Sequence, residues 1–421
     1  MPNGLSRSLA AVIVSVFASF GCPVAVAADL TLSGFGTVGY ARSPDQDLKY
    51  LRYIDDQGTF KTDSLIGIQA EAQFDSKWGA TVQAVASAPR TRDEGHEAKV
   101  RWAFLSFRPD NEWLIRVGRV RPPVLINTQN AEVGVTYDQL RLPAEVYSLS
   151  PVYDFDGAAL TKTWALASTE LSLDAYWGKT NVKYRFHSQG EPLQPYFPER
   201  VTVKGLVLSH TAGTLLLRGG AHHATVKTAG PDLIPETLSP VPVTGPPPIG
   251  GTLYVPTGFK PEFDFTVLTL GADFHFNGWR LTAEYAQRSV PDVKIAFASK
   301  AGYATLARQA GKWTPYITYA RLLSDSDVRE VYQGINGTPV PLAVQGPPLF
   351  VPANAHRLFT DGISVYDQYS TMLGASYSFS ATSKLKFEWM RTHVGLASSL
   401  VDGEVHNKSF NVFSVSYSVA F

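Results

Sequence analysis

Cysteine is all but missing from this chain: Cys22 stands alone among 421 residues. A single thiol excludes a disulfide framework within the chain, a cysteine-based zinc cluster and paired-thiol redox chemistry. An excess of either charge is also missing, with 37 basic against 37 acidic residues, so nothing marks nucleic acid as a partner. After residue 27 no segment offers the roughly 18 consecutive apolar residues of a spanning helix. Nor does any linker divide the chain into two different patterns, although a soluble chain of this length would be expected to form two or more domains.

Residues 1–27 read as a secretory signal peptide. Arg7 supplies the basic start, an apolar run extends from Leu9 to Val26, and Ala25-Val26-Ala27 forms a small-residue cleavage site. A lipoprotein box at Ser19-Phe20-Gly21-Cys22 is the alternative, but it lacks the usual aliphatic residue at its start. Cleavage would remove Cys22 and Arg7, leaving 36 basic residues (37 less Arg7) and 37 acidic ones.

From 28 to 421 one pattern runs end to end. Segments of about ten residues alternate apolar and polar, joined in turn by very short and by long connections. In SLIGIQAEAQF, Ile66, Ile68, Ala70, Ala72 and Phe74 share one face, while Gly67, Gln69, Glu71 and Gln73 share the other. Tight turns fall at Asp75-Ser76-Lys77, Pro109-Asp110-Asn111, Asn277-Gly278 and Gly311-Lys312. The pattern predicts an all-β fold, a transmembrane antiparallel β-barrel of about 16 strands. In hydrocarbon every backbone amide must be paired, so a sheet spans only by closing on itself. A soluble barrel or sandwich would instead bury the apolar faces. Trp78, Trp113, Trp279 and Trp313 each follow a tight turn, which puts them at one end of successive hairpins, where indole suits a bilayer interface. The last strand, FSVSYSVAF, alternates serine with apolar residues and ends on Phe421.

One connection is too long for a turn and too apolar for a surface loop. After WLIRVGRVR, Pro122 and Pro123 stop the strand, because proline has no amide to give to the ladder. Residues 122–154 are then predicted to fold back inside the barrel and narrow its bore. Strand parity on 98–107 makes Val100, Trp102 and Phe104 the outer face, and so turns Lys99 and Arg101 inward. On 113–118, parity with Trp113, Ile115 and Val117 outside leaves Arg116 inward. Opposite them the loop carries Glu132, Asp138 and Glu145. Opposed charges in a narrow, low-dielectric pore select ions, so these six residues are the predicted constriction. Each reads otherwise as a solvated lumen charge or as an ion pair tying loop to wall. Arg280, Glu284 and Arg288 share one polar face, and Lys386 and Glu388 another, as further lumen charges. The connections 228–261 and 324–367 are predicted as long external loops. The first, almost uncharged and rich in proline, reads as disordered or as a surface cap.

LTLSGFGTVGY resembles the first strand of the trimeric general porins of Gram-negative outer membranes. VRWAFL followed by Val117-Gly118-Arg119 resembles the paired strands before their third external loop, and terminal Phe421 resembles their assembly signal. The likeness covers nearly the whole chain as a pattern, although the family's PEFGG-like turn is missing from 122–154. It implies a homotrimer in outer-membrane lipid, assembled by the barrel-assembly machinery. It also implies a water-filled channel for passive diffusion of small hydrophilic solutes and ions. A substrate-specific uptake channel and a non-conducting adhesive protein are alternatives. An outer-membrane phospholipase or protease would need a Ser/His or Asp/His set. No nucleophile elbow, phosphate loop or HExxH helix is present, and His222 and His223, adjacent on one strand, point to opposite faces. No catalytic residue, metal or cofactor is predicted.

Overall fold

The computed structural model describes residues 29–150, 152–185, 196–228, 235–243, 251–295, 297–337 and 360–421. The predicted signal peptide lies outside them, as do parts of the connections 228–261 and 324–367. Sixteen antiparallel strands close into one barrel. In chain order they are β1 (Asp29–Arg42), β2 (Leu65–Gln73), β3 (Trp78–Ser87), β4 (Glu97–Phe107), β5 (Trp113–Val120), β6 (Phe155–Ala165), β7 (Thr169–Arg185) and β8 (Tyr196–Ala212). They continue with β9 (Leu215–Thr228), β10 (Glu262–Phe276), β11 (Trp279–Ser289), β12 (Ser299–Arg308), β13 (Trp313–Ser324), β14 (Tyr366–Ser380), β15 (Ser383–Ser398) and β16 (Lys408–Ala420). Each strand pairs with its chain neighbours, and β16 closes on β1 from Phe35 opposite Ala420 to Arg42 opposite Phe413.

The alternation in the sequence becomes two surfaces. Leu30, Leu32, Ile66, Leu206, Leu268, Leu270 and Phe413 are exposed on the outer wall. A continuous apolar belt of this kind is a surface for lipid, not water. At the short-turn end the rings gather: Trp78 lies 4.5 Å from Phe107, Trp313 4.9 Å from Tyr377, and Tyr377 4.9 Å from Phe379, between centroids. The four tryptophans open β3, β5, β11 and β13, as the turns predicted.

Inside, rings cover glycines. Phe35 on β1 lies flat over Gly67 on β2, where an added Cβ would fall within the ring's van der Waals envelope. Gly67→Ala is therefore expected to cost about 1–3 kcal/mol through overpacking. Urea unfolding of the detergent-refolded barrel reads this directly, and an unmoved midpoint would show that the ring swings aside freely.

The lumen is not polar throughout, contrary to the expectation from parity. Towards the turn end its residues are polar, but towards the long-loop end they become apolar: Phe263, Phe265 and Val267 on β10, Val201, Val203 and Val207 on β8, and Met390 and Val394 on β15 are buried. The reason is the loops, which fold inward and bring apolar side chains to meet them. Leu48, Tyr50 and Ile54, then Val124, Leu125 and Leu149, and Val328, Tyr332 and Ile335 of the helix Ser326–Gly337 join one core with the wall residues. Above this core, Arg52 donates to Tyr196 at 2.7 Å, Tyr196 to Asp93 at 2.7 Å and Arg185 to Asp402 at 2.9 Å, tying the connections at the mouth together.

Part of the proline-rich connection is paired rather than disordered. Thr237–Val243 pairs with Gly251–Thr257 as a two-stranded hairpin. Pro240 stands opposite Tyr254, Pro242 opposite Thr252 and Pro256 opposite Leu238, all in the same alternating class. Both strands of an isolated hairpin are edges, so half of their amide positions point away from the partner and tolerate proline.

Candidate functional site

Pro122 and Pro123, both buried, end β5 and turn the chain into the barrel. From there most of the loop is bonded to the wall of β9 to β16, while Glu132 near its base is bound to β4. Arg218 on β9 donates to the Pro123 carbonyl at 2.7 Å, and Thr269 on β10 to that of Val124 at 3.1 Å. Glu284 on β11 accepts the Ile126 amide at 2.6 Å and the Tyr147 and Tyr303 hydroxyls, each at 2.7 Å. Lys386 on β15 donates to the Gly134 and Gln139 carbonyls at 2.6 and 2.8 Å. Tyr316 accepts the Leu140 amide at 2.9 Å and donates to Glu388 at 2.8 Å. Arg141 reaches Asp63 at 2.5 Å and Ser414 at 3.2 Å.

This leaves two unlike walls. Behind the loop, Thr269, Thr282, Thr305, Thr318, Ser370 and Ser376 are buried. On β2 to β7, Gln69, Thr81, Lys99, Arg116, Thr161, Ser172 and Asp174 keep partial access to solvent. Solvent access inside the barrel is thus found along that second wall.

The base of the loop is held by a charge cluster. Glu132 lies 3.2 Å from Arg90, 3.2 Å from Arg101 and 2.5 Å from Arg121, and Arg101 lies 3.6 Å from Asp154. Burial acts to raise the Glu132 carboxyl, but the Arg121, Arg90 and Arg101 guanidiniums outweigh it and hold it down at about 2. Arg90 also lies over the Tyr153 ring at 3.4 Å.

The predicted constriction is thus corrected in its arrangement. Arg101 and Glu132 do not face one another across a gap; they touch and are buried. Glu145 is fully buried against the opposite wall, accepting from Gln368 at 2.8 Å and from Ser370. Asp138 is bound by Lys384 at 2.8 Å and Ser376 at 3.0 Å, with Arg280 at 3.9 Å. The loop is long enough to reach the wall, so its acids meet basic and hydroxyl partners directly. Lys99 and Arg116 do stand on the open wall. Arg116 lies 3.4 Å from Thr161, whose hydroxyl donates to Asp174 at 2.5 Å. Of the further lumen charges, Glu284, Lys386 and Glu388 serve the loop, and Arg280 pairs with Asp273 at 2.9 Å.

Parity failed at one place. On β4, Gln83 is opposite Trp102 but Ala84 is opposite Val100, so a bulge leaves Arg101 without a cross-strand partner. Beyond it the faces exchange: Trp102 and Phe104 turn inward with Gln83 and Thr81, and Leu105 is exposed outside. Arg119 faces outward, bound to Asp156 at 2.8 Å. Arg121, Arg141, Tyr147, Tyr316, Asp174 and Arg218 were missed; parity on β7, β9 and β13 could have found Asp174, Arg218 and Tyr316. His222 is buried, 2.7 Å from the Tyr176 hydroxyl, while His223 lies outside near Asp264, so the two faces differ as expected. Among the described residues no group of three His, Cys, Asp or Glu is placed to hold a metal ion.

Among solved structures, OmpF of Salmonella typhi in complex with daunomycin matches over 93% of this chain and 97% of its own, with 13% identity and a TM-score of 0.53. The fold is that of the outer-membrane porins. DcaP, an outer-membrane channel of Acinetobacter baumannii, matches over 95% and 99% with 12% identity and a TM-score of 0.52. OprB of Pseudomonas putida matches over 94% of each chain with 9% identity and a TM-score of 0.50. No family model and no curated protein sequence matches the chain. The porin barrel is therefore kept here by the pattern of its faces rather than by residue identity.

Proposed function

We propose that the chain forms a water-filled channel in the cell outer membrane for passive diffusion of small hydrophilic solutes and ions. The observation that carries this reading is the inserted loop, bonded to the wall of β9 to β16 and held to β4 at Glu132, while polar residues of β2 to β7 such as Gln69, Thr81, Lys99 and Arg116 keep access to solvent. The proposed assembly is a homotrimer in outer-membrane lipid. Insertion would be directed by the C-terminal strand, where Phe421 exchanges two backbone hydrogen bonds with Gly34, at 2.7 and 2.9 Å. The reading assigns no catalytic residue.

Conductance in a planar bilayer under a salt gradient tests it. Stepwise currents, grouped in threes for a trimer, are expected; a silent bilayer with folded protein would overturn the channel. Arg116 is a cation of the open wall, so Arg116→Ser is expected to shift the reversal potential towards cations. An unchanged potential would remove Arg116 from the passage. A solute-specific channel is the second reading, favoured because Arg116, Thr161 and Asp174 form one hydrogen-bonded row across β5 to β7 on the open wall. Flux that saturates with solute concentration would distinguish it.

A further inference from the structure

Hydrocarbon penalises an unpaired charge, and the penalty fades only near the headgroups, so cations on a barrel's outer wall need partners. Several here have an acid beside them. Arg119 lies 2.8 Å from Asp156, His223 3.7 Å from Asp264, Lys227 2.5 Å from Glu262 and Lys300 4.0 Å from Asp325. Arg321 on β13 and Arg391 on β15 are different. Both are exposed on the outer wall, and among the described residues neither has an ion pair or a side-chain hydrogen bond.

The sheet register brings these two together. Arg321 stands opposite Tyr369 on β14, and Tyr369 opposite His393 on β15. One row nearer the turns, Tyr319 stands opposite Thr371, and Thr371 opposite Arg391. The Tyr369 ring lies 5.1 Å from His393 and 6.1 Å from Tyr319, so aromatic rings fill the wall between the two arginine positions. Strand β13 starts at Trp313 in the aromatic rim. Arg321 therefore lies about 20 Å along the membrane normal from that rim at the usual strand rise and tilt, near the opposite interface. Two interstrand steps and a two-residue offset along the strand separate the arginine Cα positions by about 12 Å, a span that two long, snorkelling side chains can close on one anion.

We propose that Arg321 and Arg391, with Tyr369 and His393 between them, bind the phosphate of an anionic lipid headgroup in the leaflet on the long-loop side. Guanidinium matches phosphate in charge and in its fork of donors. The belt places the patch where lipid is the neighbour. This inference rests on the membrane-channel reading only in that the barrel spans a bilayer, and its test does not use conductance.

The test is lipid retention. The full chain is reconstituted in vesicles of phosphatidylcholine containing a minor share of phosphatidylglycerol. It is then extracted in neutral detergent, and the lipid still bound is measured by native mass spectrometry. The wild type is expected to carry phosphatidylglycerol in preference to phosphatidylcholine. Arg321→Gln with Arg391→Gln should lower that retention by about tenfold, as two charge-assisted contacts are lost. Arg308→Gln, at the turn-end rim over Trp279, should leave it unchanged. If the double variant does not fold, each single variant is read the same way, with a smaller expected loss. Equal retention by variant and wild type, or no preference for the charged lipid, would overturn the site. Complete displacement of the lipid by millimolar inorganic phosphate would also overturn it, by showing a site for a free anion.

Discussion

Glu132→Ala should lower the unfolding free energy by about 3–5 kcal/mol, because removing one member of a buried ion cluster leaves the others uncompensated. Three guanidiniums converge on this carboxylate, and Arg101 is only 1% exposed. Without Glu132, Asp154 at 3.6 Å is the one carboxylate left in an ion pair with Arg101 among the described residues. The base of the loop then loses its attachment to β4, and open-channel current should become noisier. The pH dependence follows from the same geometry. The carboxyl is lowered from 4.5 to about 2. Its contribution is therefore fully present above pH 4.5, declines below it, and is lost as pH falls through about 2. Urea midpoints of wild type and Glu132→Gln should differ equally at pH 7 and pH 5, and converge towards pH 2. A difference below about 1 kcal/mol at pH 7, the size of an exposed pair, would show the cluster to be solvated.

The barrel itself was legible because its cause is local and repeated. In hydrocarbon a strand must show apolar side chains at every second position, and the short turns punctuate the pattern, so Ile66 and Ile68 declare an outer face without reference to any other strand. The inward loop was legible for a similar reason: Pro122-Pro123 ends a strand, and the apolar residues behind it need a surface. What could not be read depends on events between segments. The bulge at Arg101 adds one residue to β4 and exchanges the faces of Trp102 and Phe104, yet nothing in RWAF announces it. Buried Val203 and Val267 look lipid-facing by composition, and only the loops arriving from above make them core. The charges were found, but not their pairing. Parity places Arg101 inward and the loop carries Glu132, whereas contact or opposition depends on how far the loop reaches.

That reach can be fixed covalently. Gly134 stands at the far turn of the loop, against Thr37 on β1 and Ser418 on β16, and a Cβ built there lies 3.1 Å from the Ser418 Cβ. A disulfide needs about 3.8 Å between these atoms, so a shift of under about 1 Å accommodates one. Cys22 is the only natural thiol and falls in the predicted signal peptide. Gly134→Cys with Ser418→Cys should therefore oxidise to a single intramolecular product, seen as a mobility difference between reduced and non-reduced gels. Closing so long a loop in the unfolded chain should add about 2–4 kcal/mol of stability. Conductance decides the interpretation. Lys386 already holds the Gly134 and Gln139 carbonyls against the same wall, so the linked channel should conduct as the reduced one does. A large fall or rise in current on oxidation would mean that the loop normally leaves this wall during permeation. The passage would then be set by a moving loop rather than by a fixed one.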